Sequence, residues 1–373
     1  MKQKSPKSSK VLFILHTSPP SHGAARVGDN ILNSDLINDR HICKFIRIES
    51  SNTMEEIGRV RLMKIYSAIT LFFKVSIALI RFKPNKIYFT ASVKGVAFYR
   101  DFALSLSWKL YNNFRPTDIY YHYHTKGVNN FVSSSKVKLF LTRFFLKQVR
   151  LILLNKILLE DFTKIDTYKN AAFISNGIFD ELHMMDFNKL ISLKYHKSNA
   201  INLLYLSHMT KEKGYDFVLD LAKSYKNYPD LHFHFAGSWG SDNDKLYFEQ
   251  FIYENDLHNV THHGFVDGID KDELLKASHL LIYPSLNDAF PLTILESLSY
   301  GVPILSSNQG SIPAMLDDNC GIVMNSLLNP DKYFKAALNM LINKKTAESC
   351  RKHFLQNFTI ANFENKLTQI LYD

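Results

Sequence analysis

The chain has 373 residues, 46% hydrophobic and 21% charged, which excludes a disordered protein and predicts two domains with sizeable cores. Its formal charge of +10 is uneven: residues 1–178 hold 28 Lys and Arg against 11 Asp and Glu, and the remainder holds 17 against 24. A basic half beside a mildly acidic one predicts two bodies with different partners, the basic one suited to phosphates, anionic membranes or nucleic acid. Cys43, Cys320 and Cys350 lie far apart without a CxxC, which points to a reducing compartment and away from structural disulfides or a zinc site.

The basic N-terminal stretch contains only a five-residue apolar run, Val11–Leu15, too short for a secretory signal and better read as a first strand. No stretch reaches the ~18 uninterrupted apolar residues of a membrane span. A cytoplasmic protein is expected. The next strand candidates are 86–89 (KIYF), 119–124 (IYYHYH), 150–154 (RLILL) and 171–175 (AAFIS). A second series follows at 202–207, 231–237, 260–265, 279–285 and 302–307. Helical patterns separate them; Phe217, Val218, Leu221 and Tyr225 share one face. Continuous apolar strands alternating with helices predict parallel sheets covered on both faces, hence two Rossmann-like domains. Segment 175–200 breaks the rhythm and carries the turn-prone Asn176-Gly177, so the junction is placed there. The expected domains are 1–178 and 179–357, with a C-terminal helix, 358–373, packing back onto the first.

In the first half, Lys136, Arg143, Lys147 and Arg150 recur at helical spacing among aromatic and aliphatic residues. Arg59–Arg81 is a second apolar stretch with a narrow polar stripe at Lys64, Ser67, Thr70 and Lys74. Both read as core-packed helices, while the basic rim also suits anionic lipid headgroups. No RNP-type or helix-turn-helix pattern supports nucleic acid as a partner.

Ligands of parallel α/β sheets bind beyond the carboxyl ends of the strands. After strand 202–207 come His208, Lys211, Lys213 and then Gly214 opening a helix, an arrangement suited to an anion or to a solvated turn. After strand 279–285 come Asp288 and a short helix, Pro291–Tyr300, stopped by Gly301 and Pro303. Asp288 reads either as a local cap or as a ligand group. Glu296, inside that helix among Leu292, Ile294, Leu295 and Leu298, is costly to bury without a hydrogen-bond partner. Gly310 and Ser311 offer a further anion-compatible helix start. In the first half, Gly23 and Ala24 stand at a βα turn, and His122 and His124 lie on one strand face, His124 nearest its carboxyl end. The Asp242-x-Asp244 pair reads as an ordinary polar loop rather than a metal motif.

The segments SHMTKEKG (207–214), YPS (283–285), DAFPLTILE (288–296), GVP (301–303) and GSIP (310–313) follow in order over about 110 residues. In this they resemble the C-domain of retaining GT-B glycosyltransferases of family 4, the "glycosyl transferases group 1" domain. PPSHGAARVGDNI (19–31) resembles, more loosely, that family's first glycine-rich loop. The resemblance implies two Rossmann-like domains facing a central cleft and a metal-independent transfer with retention of configuration. No cofactor is expected, because the nucleotide sugar is a co-substrate. By the same resemblance Glu296 holds the donor ribose, Asp288 the transferred sugar, and Lys213 the diphosphate. His208, Ala289, Phe290, Pro291, Leu292, Gly23 and Ala24 are implied to line the donor, and His124 is the N-domain active-site histidine. The chain departs from the pattern at His208, where the family has Arg, and at Asp288, where it has Glu. The expected donor is a UDP-sugar ahead of a GDP-sugar, and the expected acceptor a cell-surface polysaccharide or lipid-linked oligosaccharide. The alternative is an inactive relative that binds membrane or polyanion through its basic half.

Overall fold

The computed structural model describes residues 9–19, 23–48, 57–182, 184–195 and 200–372. It divides into two compact units, residues 1–177 with 360–373, and residues 178–359. The first opens with β1 (Lys10–His16), α1 (Gly23–Leu32), α2 (Asp35–Arg40), β2 (Ile42–Ile48) and the long α3 (Ile57–Phe82). It continues through β3 (Lys86–Ala91), α4 (Gly95–Phe114), β4 (Asp118–Tyr123), α5 (Val128–Ser133), α6 (Lys136–Leu146), β5 (Arg150–Leu153) and β6 (Asn170–Phe173). All six strands are parallel, in the order β2-β1-β3-β4-β5-β6.

Alternation along β1 divides its side chains between two cores. Leu12 and Ile14 face a cluster that includes Phe89, Tyr121 and Leu151 from the sheet and Val75, Phe98, Trp108 and Phe145 from α3, α4 and α6. Val11, Phe13 and Leu15 face the opposite cluster, with Val27 and Ile31 of α1 and Ile37 of α2. The polar tip of the largest fully buried side chain is satisfied within these cores: the Trp108 indole N–H donates to Tyr121 Oη at 2.9 Å.

The second unit contains α7 (Met184–Lys194), β7 (Ile201–Leu206), α8 (Tyr215–Ser224), β8 (Leu231–Ala236), α9 (Asp242–Asn255), β9 (Val260–His262) and α10 (Gly268–Ala277). Then come β10 (Leu280–Tyr283), α11 (Leu292–Ser299), β11 (Ile304–Ser307), α12 (Ile312–Met315), β12 (Gly321–Met324), α13 (Pro330–Met340) and α14 (Lys344–Asn357). Its six parallel strands run β12-β11-β10-β7-β8-β9. The last helix, α15 (Ile360–Tyr372), belongs to the first unit, where Phe363, Leu367 and Leu371 enter the core beside β1.

Segment 175–200 holds the boundary between the two units, at 177/178, followed by α7, whose Phe187 and Ile191 are buried. Two expectations are corrected. The helix expected over Pro291–Tyr300 runs from Leu292 to Ser299; Pro291, at φ −70° and ψ 121°, is its extended cap. The apolar stretch 59–81 is helical, but among its described side chains packing is only partial, since Tyr66, Ile69, Phe73, Ile77 and Ile80 are exposed. The Lys64 side chain of its polar stripe lies outside the described residues, as do Pro20, Ser21 and His22 of the first loop.

His279, at the head of β10, is 6% exposed, and its Nδ1 accepts the Asn202 backbone N–H at 3.1 Å. That bond needs a neutral ring. Burial, then the nearby Lys194 ammonium, pull the His279 pKa down to about 4. Between pH ~6.5 and about 4 the unfolded chain therefore binds a proton that the folded one refuses, so stability falls as pH falls through that window. The slope expected from this residue is about 1.4 kcal/mol per pH unit. Thermal melts of wild type and His279→Gln across pH 4–7 check this: the variant's midpoint is expected to depend less on pH.

Candidate active site

In the second unit the chain leaves β7 toward β8 and β9 on one side, then crosses back to β10 on the other. The β7/β10 boundary is thus the point where strand order reverses, and the two following loops open a crevice at the carboxyl ends. Lys213 stands in the loop after β7, at the end of a 3-10 turn capped by Thr210. Asp288 stands in the loop after β10. Gly214, at φ +79°, lets these loops close up, since a Cβ there would lie 2.8 Å from the Pro284 carbonyl oxygen. The Leu286 N–H donates to the Glu212 carbonyl at 2.8 Å and Asn287 Nδ2 to Glu212 Oε1 at 2.7 Å, so the loops are tied together.

Asp288 Oδ2 accepts three hydrogen bonds: from Lys213 Nζ at 2.7 Å, Tyr283 Oη at 2.8 Å and Ser285 Oγ at 2.7 Å. Burial, then the Asp288 charge, push the Tyr283 hydroxyl well above its ordinary pKa, so it stays a donor. Lys213 Nζ also donates to the Asn287 carbonyl at 3.1 Å. Two of the three ammonium protons are thereby committed, and among the described residues neither the third proton nor Asp288 Oδ1 has a partner. Both side chains remain about one-fifth exposed, 20% for Lys213 and 18% for Asp288.

The loop after β11 locks this arrangement from the other side. The Ser311 N–H donates to the Ala289 carbonyl at 2.8 Å, and Ser311 is buried. Ala289, Phe290 and Pro291 are buried, Leu292 is half-buried, and His208 is exposed. On α11, Glu296 is buried and pairs with Lys271 Nζ of α10 at 3.2 Å; Lys271 also reaches Asp267 at 3.3 Å. Asp244 accepts from Tyr215 Oη at 3.1 Å and from Ser241 Oγ at 2.6 Å, a helix-start role at α9. Asp317, Cys320 and His353 bring their ligand-type atoms within 4.8 Å, a cluster that cysteine spacing did not foreshadow. Its histidine already reaches the Met315 carbonyl through Nε2 at 3.1 Å and Asp317 through Nδ1 at 3.3 Å.

In the first unit strand order reverses between β1 and β3. Gly23 and Ala24 form the first turn of α1, which follows β1. His124 directly follows β4 and is half-buried, its ring 4.0 Å from that of His122. His122 is fully buried and bonded through Nδ1 to Tyr88 Oη; burial, then His124, lower its pKa well below the ordinary value.

Residues 189–354 match the family model for glycosyl transferases group 1. The second unit is a glycosyl transferases group 1 domain. An uncharacterized 41.2 kDa protein of the cps region of Klebsiella pneumoniae is 23% identical over 364 residues, 93% of this chain and 96% of that protein. The alpha-galactosylglucosyldiacylglycerol synthase of Streptococcus pneumoniae is 26% identical over 190 residues, 49% of this chain and 50% of that enzyme. Anabaena HepE, solved in complex with UDP, matches at TM-score 0.69 and 15% identity, covering 97% of this chain and 99% of that one. Two parallel six-stranded sheets flanked by helices, with this structural neighbour, make the fold GT-B.

Within this glycosyltransferase domain, sequence reasoning missed Lys271, Tyr283 and Ser285. Lys271 lies 25 residues before its partner, and a lysine in a charged helix gives no sign of pairing inward. Tyr283 and Ser285 stand in the quoted YPS segment, but only the fold turns their hydroxyls onto Asp288. Gly310 holds the arrangement sterically: at φ +55°, an added Cβ would lie 2.1 Å from the Asp288 carbonyl oxygen. Gly310→Ala is therefore expected to cost about 1–3 kcal/mol through strain and a displaced Asp288 loop. Thermal denaturation of the variant measures it, and an unchanged midpoint would show that the loop yields freely.

Proposed function

We propose that the protein is a retaining, metal-independent glycosyltransferase. It transfers a hexose from a nucleotide-diphosphate sugar, UDP ahead of GDP, to a cell-surface polysaccharide or lipid-linked oligosaccharide. The observation that carries the reading is the Lys213–Asp288 pair at the strand-order reversal, which among the described residues leaves one ammonium proton and one carboxylate oxygen uncommitted. Support for a UDP donor comes from the structural neighbour solved with UDP. A cps-region relative and a relative named for glycosyldiacylglycerol synthesis support the acceptor class.

In this reading the remaining Lys213 N–H, on an ammonium that keeps its charge, donates a hydrogen bond to a phosphate oxygen of the donor and stabilises the charge that grows as the sugar bond breaks. Asp288 Oδ1 accepts a hydroxyl of the transferred sugar, with Oδ2 anchored by its three donors. Glu296 accepts from the ribose diol, the hydrogen-bonding role its carboxylate can share with Lys271. The acceptor attacks on the face the leaving phosphate departs from, and that phosphate takes the acceptor proton, which gives retention without a metal. His124, Gly23 and Ala24 are assigned to the same reaction by the family pattern, and single substitutions test each.

Calorimetry with UDP and GDP separates these roles. Glu296→Ala is expected to weaken nucleotide binding tenfold or more. Asp288→Asn should leave UDP affinity nearly unchanged while transfer from a UDP-hexose falls about a hundredfold, and Lys213→Ala should lower both. Absence of binding to any nucleotide by the wild-type protein would sink the enzyme reading.

A further inference from the structure

We propose that the outer face of α3, α4 and α6 in the first unit is a docking surface for an anionic lipid bilayer. The face is built from the backs of three helices that cover one side of the sheet. In α3, Leu71, Val75, Ala78 and Leu79 enter the core, while Tyr66, Ile69, Phe73, Ile77 and Ile80 recur at helical spacing on the exposed side. Residues 65–82 are apolar enough in length and composition to cross a membrane, but 22% of that window is buried, and these residues hold the helix against the core. It therefore offers a stripe rather than a span. The neighbouring α4 repeats the pattern with exposed Tyr99, Leu106, Leu110 and Phe114, and α6 with Val137, Phe140 and Phe144. Phe102 and Phe144 meet at 5.7 Å across α4 and α6, so these two helices are direct neighbours. Phe73, Phe114 and Phe140 are 60%, 83% and 69% exposed. Soluble monomers rarely expose apolar surface on this scale without a partner.

Charge selects the occupant. The three helices carry ten Lys and Arg and a single acid, Asp101. Asp101 is fully buried and paired with Arg100 at 2.7 Å, so it contributes no carboxylate to the face. Lys74, Arg81 and Lys136 are exposed beside the apolar stripes, Arg143 is exposed but paired with Asp166 at 3.7 Å, and Lys83 and Arg115 stand just past the ends of α3 and α4. A second copy of this chain meeting the face through its own copy would set cation against cation. A bilayer of anionic lipids instead offers phosphates to the cations and an acyl boundary to the aromatic rings. The surface rests on the proposed reading in one respect only: a lipid-linked acceptor would be met in the plane where the protein is held.

Sedimentation of the full-length protein with phosphatidylcholine vesicles, with and without about one-third phosphatidylglycerol, tests this. Binding is expected only with the anionic lipid and is expected to weaken as salt is raised. Phe73→Ser, Phe114→Ser and Phe140→Ser combined are expected to reduce it about tenfold or more, and Arg81→Glu with Lys136→Glu to do likewise. UDP calorimetry on the same variants, expected to match wild type, shows that they are folded. Binding of UDP without binding of anionic vesicles would overturn the docking surface alone. Vesicle binding without nucleotide binding would uphold the surface and remove the enzyme reading. Equal binding to neutral vesicles, or self-association abolished by the Phe substitutions in a protein that ignores vesicles, would overturn the choice of occupant.

Discussion

One carboxylate oxygen organises the second unit's crevice. Asp288 Oδ2 gathers a strand tyrosine, a loop serine and a lysine from the neighbouring strand's loop. A carboxylate so placed loses hydration that only close donors can replace, and three are supplied. The same bonds fix the direction of the other oxygen without restraining it. Rigidity at one atom and availability at the next is what a site needs in order to hold a polar ligand in one pose. The strand order makes the convergence possible: β7 and β10 are adjacent although 73 residues separate their ends, and both loops emerge on the same edge of the sheet.

A second carboxylate is handled differently. Glu296 has apolar neighbours along α11 and lies buried, yet its charge is met by Lys271 from an adjoining helix rather than by a neighbour in sequence. With side-chain exposures of only 11% and 16%, this pair differs from a solvated surface ion pair, whose contribution is small. Removing either partner would leave a poorly hydrated charge, the situation in which the loss of one group is most costly. The pair is therefore better regarded as holding a carboxylate in place than as adding net stability. It is the helix, with Pro291 before it and Gly301 after it, that decides where the carboxylate points.

The parallel α/β architecture was legible in the sequence because central strands such as VLFIL and HLLIYPS are buried on both faces and so read as unbroken apolar runs. The two strands that escaped notice, β2 and β12, are both sheet edges. β2, ICKFIRI, interleaves Lys44 and Arg47 with apolar residues because part of it faces water, and β12 is only four residues long. The site was legible to the extent that it follows chain order: Lys213, Asp288 and Glu296 stand at strand ends or just inside a helix. What stayed hidden was every partner joined through space. Lys271 and Tyr283 have no local signature, and Gly310 reveals its role only through the carbonyl it packs against.

The long helix α3 illustrates a different limit. Its periodic apolar pattern predicts burial, and one face is indeed in the core, but the pattern does not say what meets the opposite face. A stretch apolar nearly all round satisfies a protein interior, a bilayer interior and the boundary between them equally well in one dimension. The fold breaks that degeneracy by seating one narrow face of the helix in the core. The remaining surface lies beside two helices of like character, whose lone acid is turned inward and neutralised. Uniform basicity then acquires a spatial meaning that composition could not give it. The excess of cations counted over the first half of the chain includes a concentrated contribution beside exposed aromatic rings, where a phosphate-bearing apolar surface satisfies both at once.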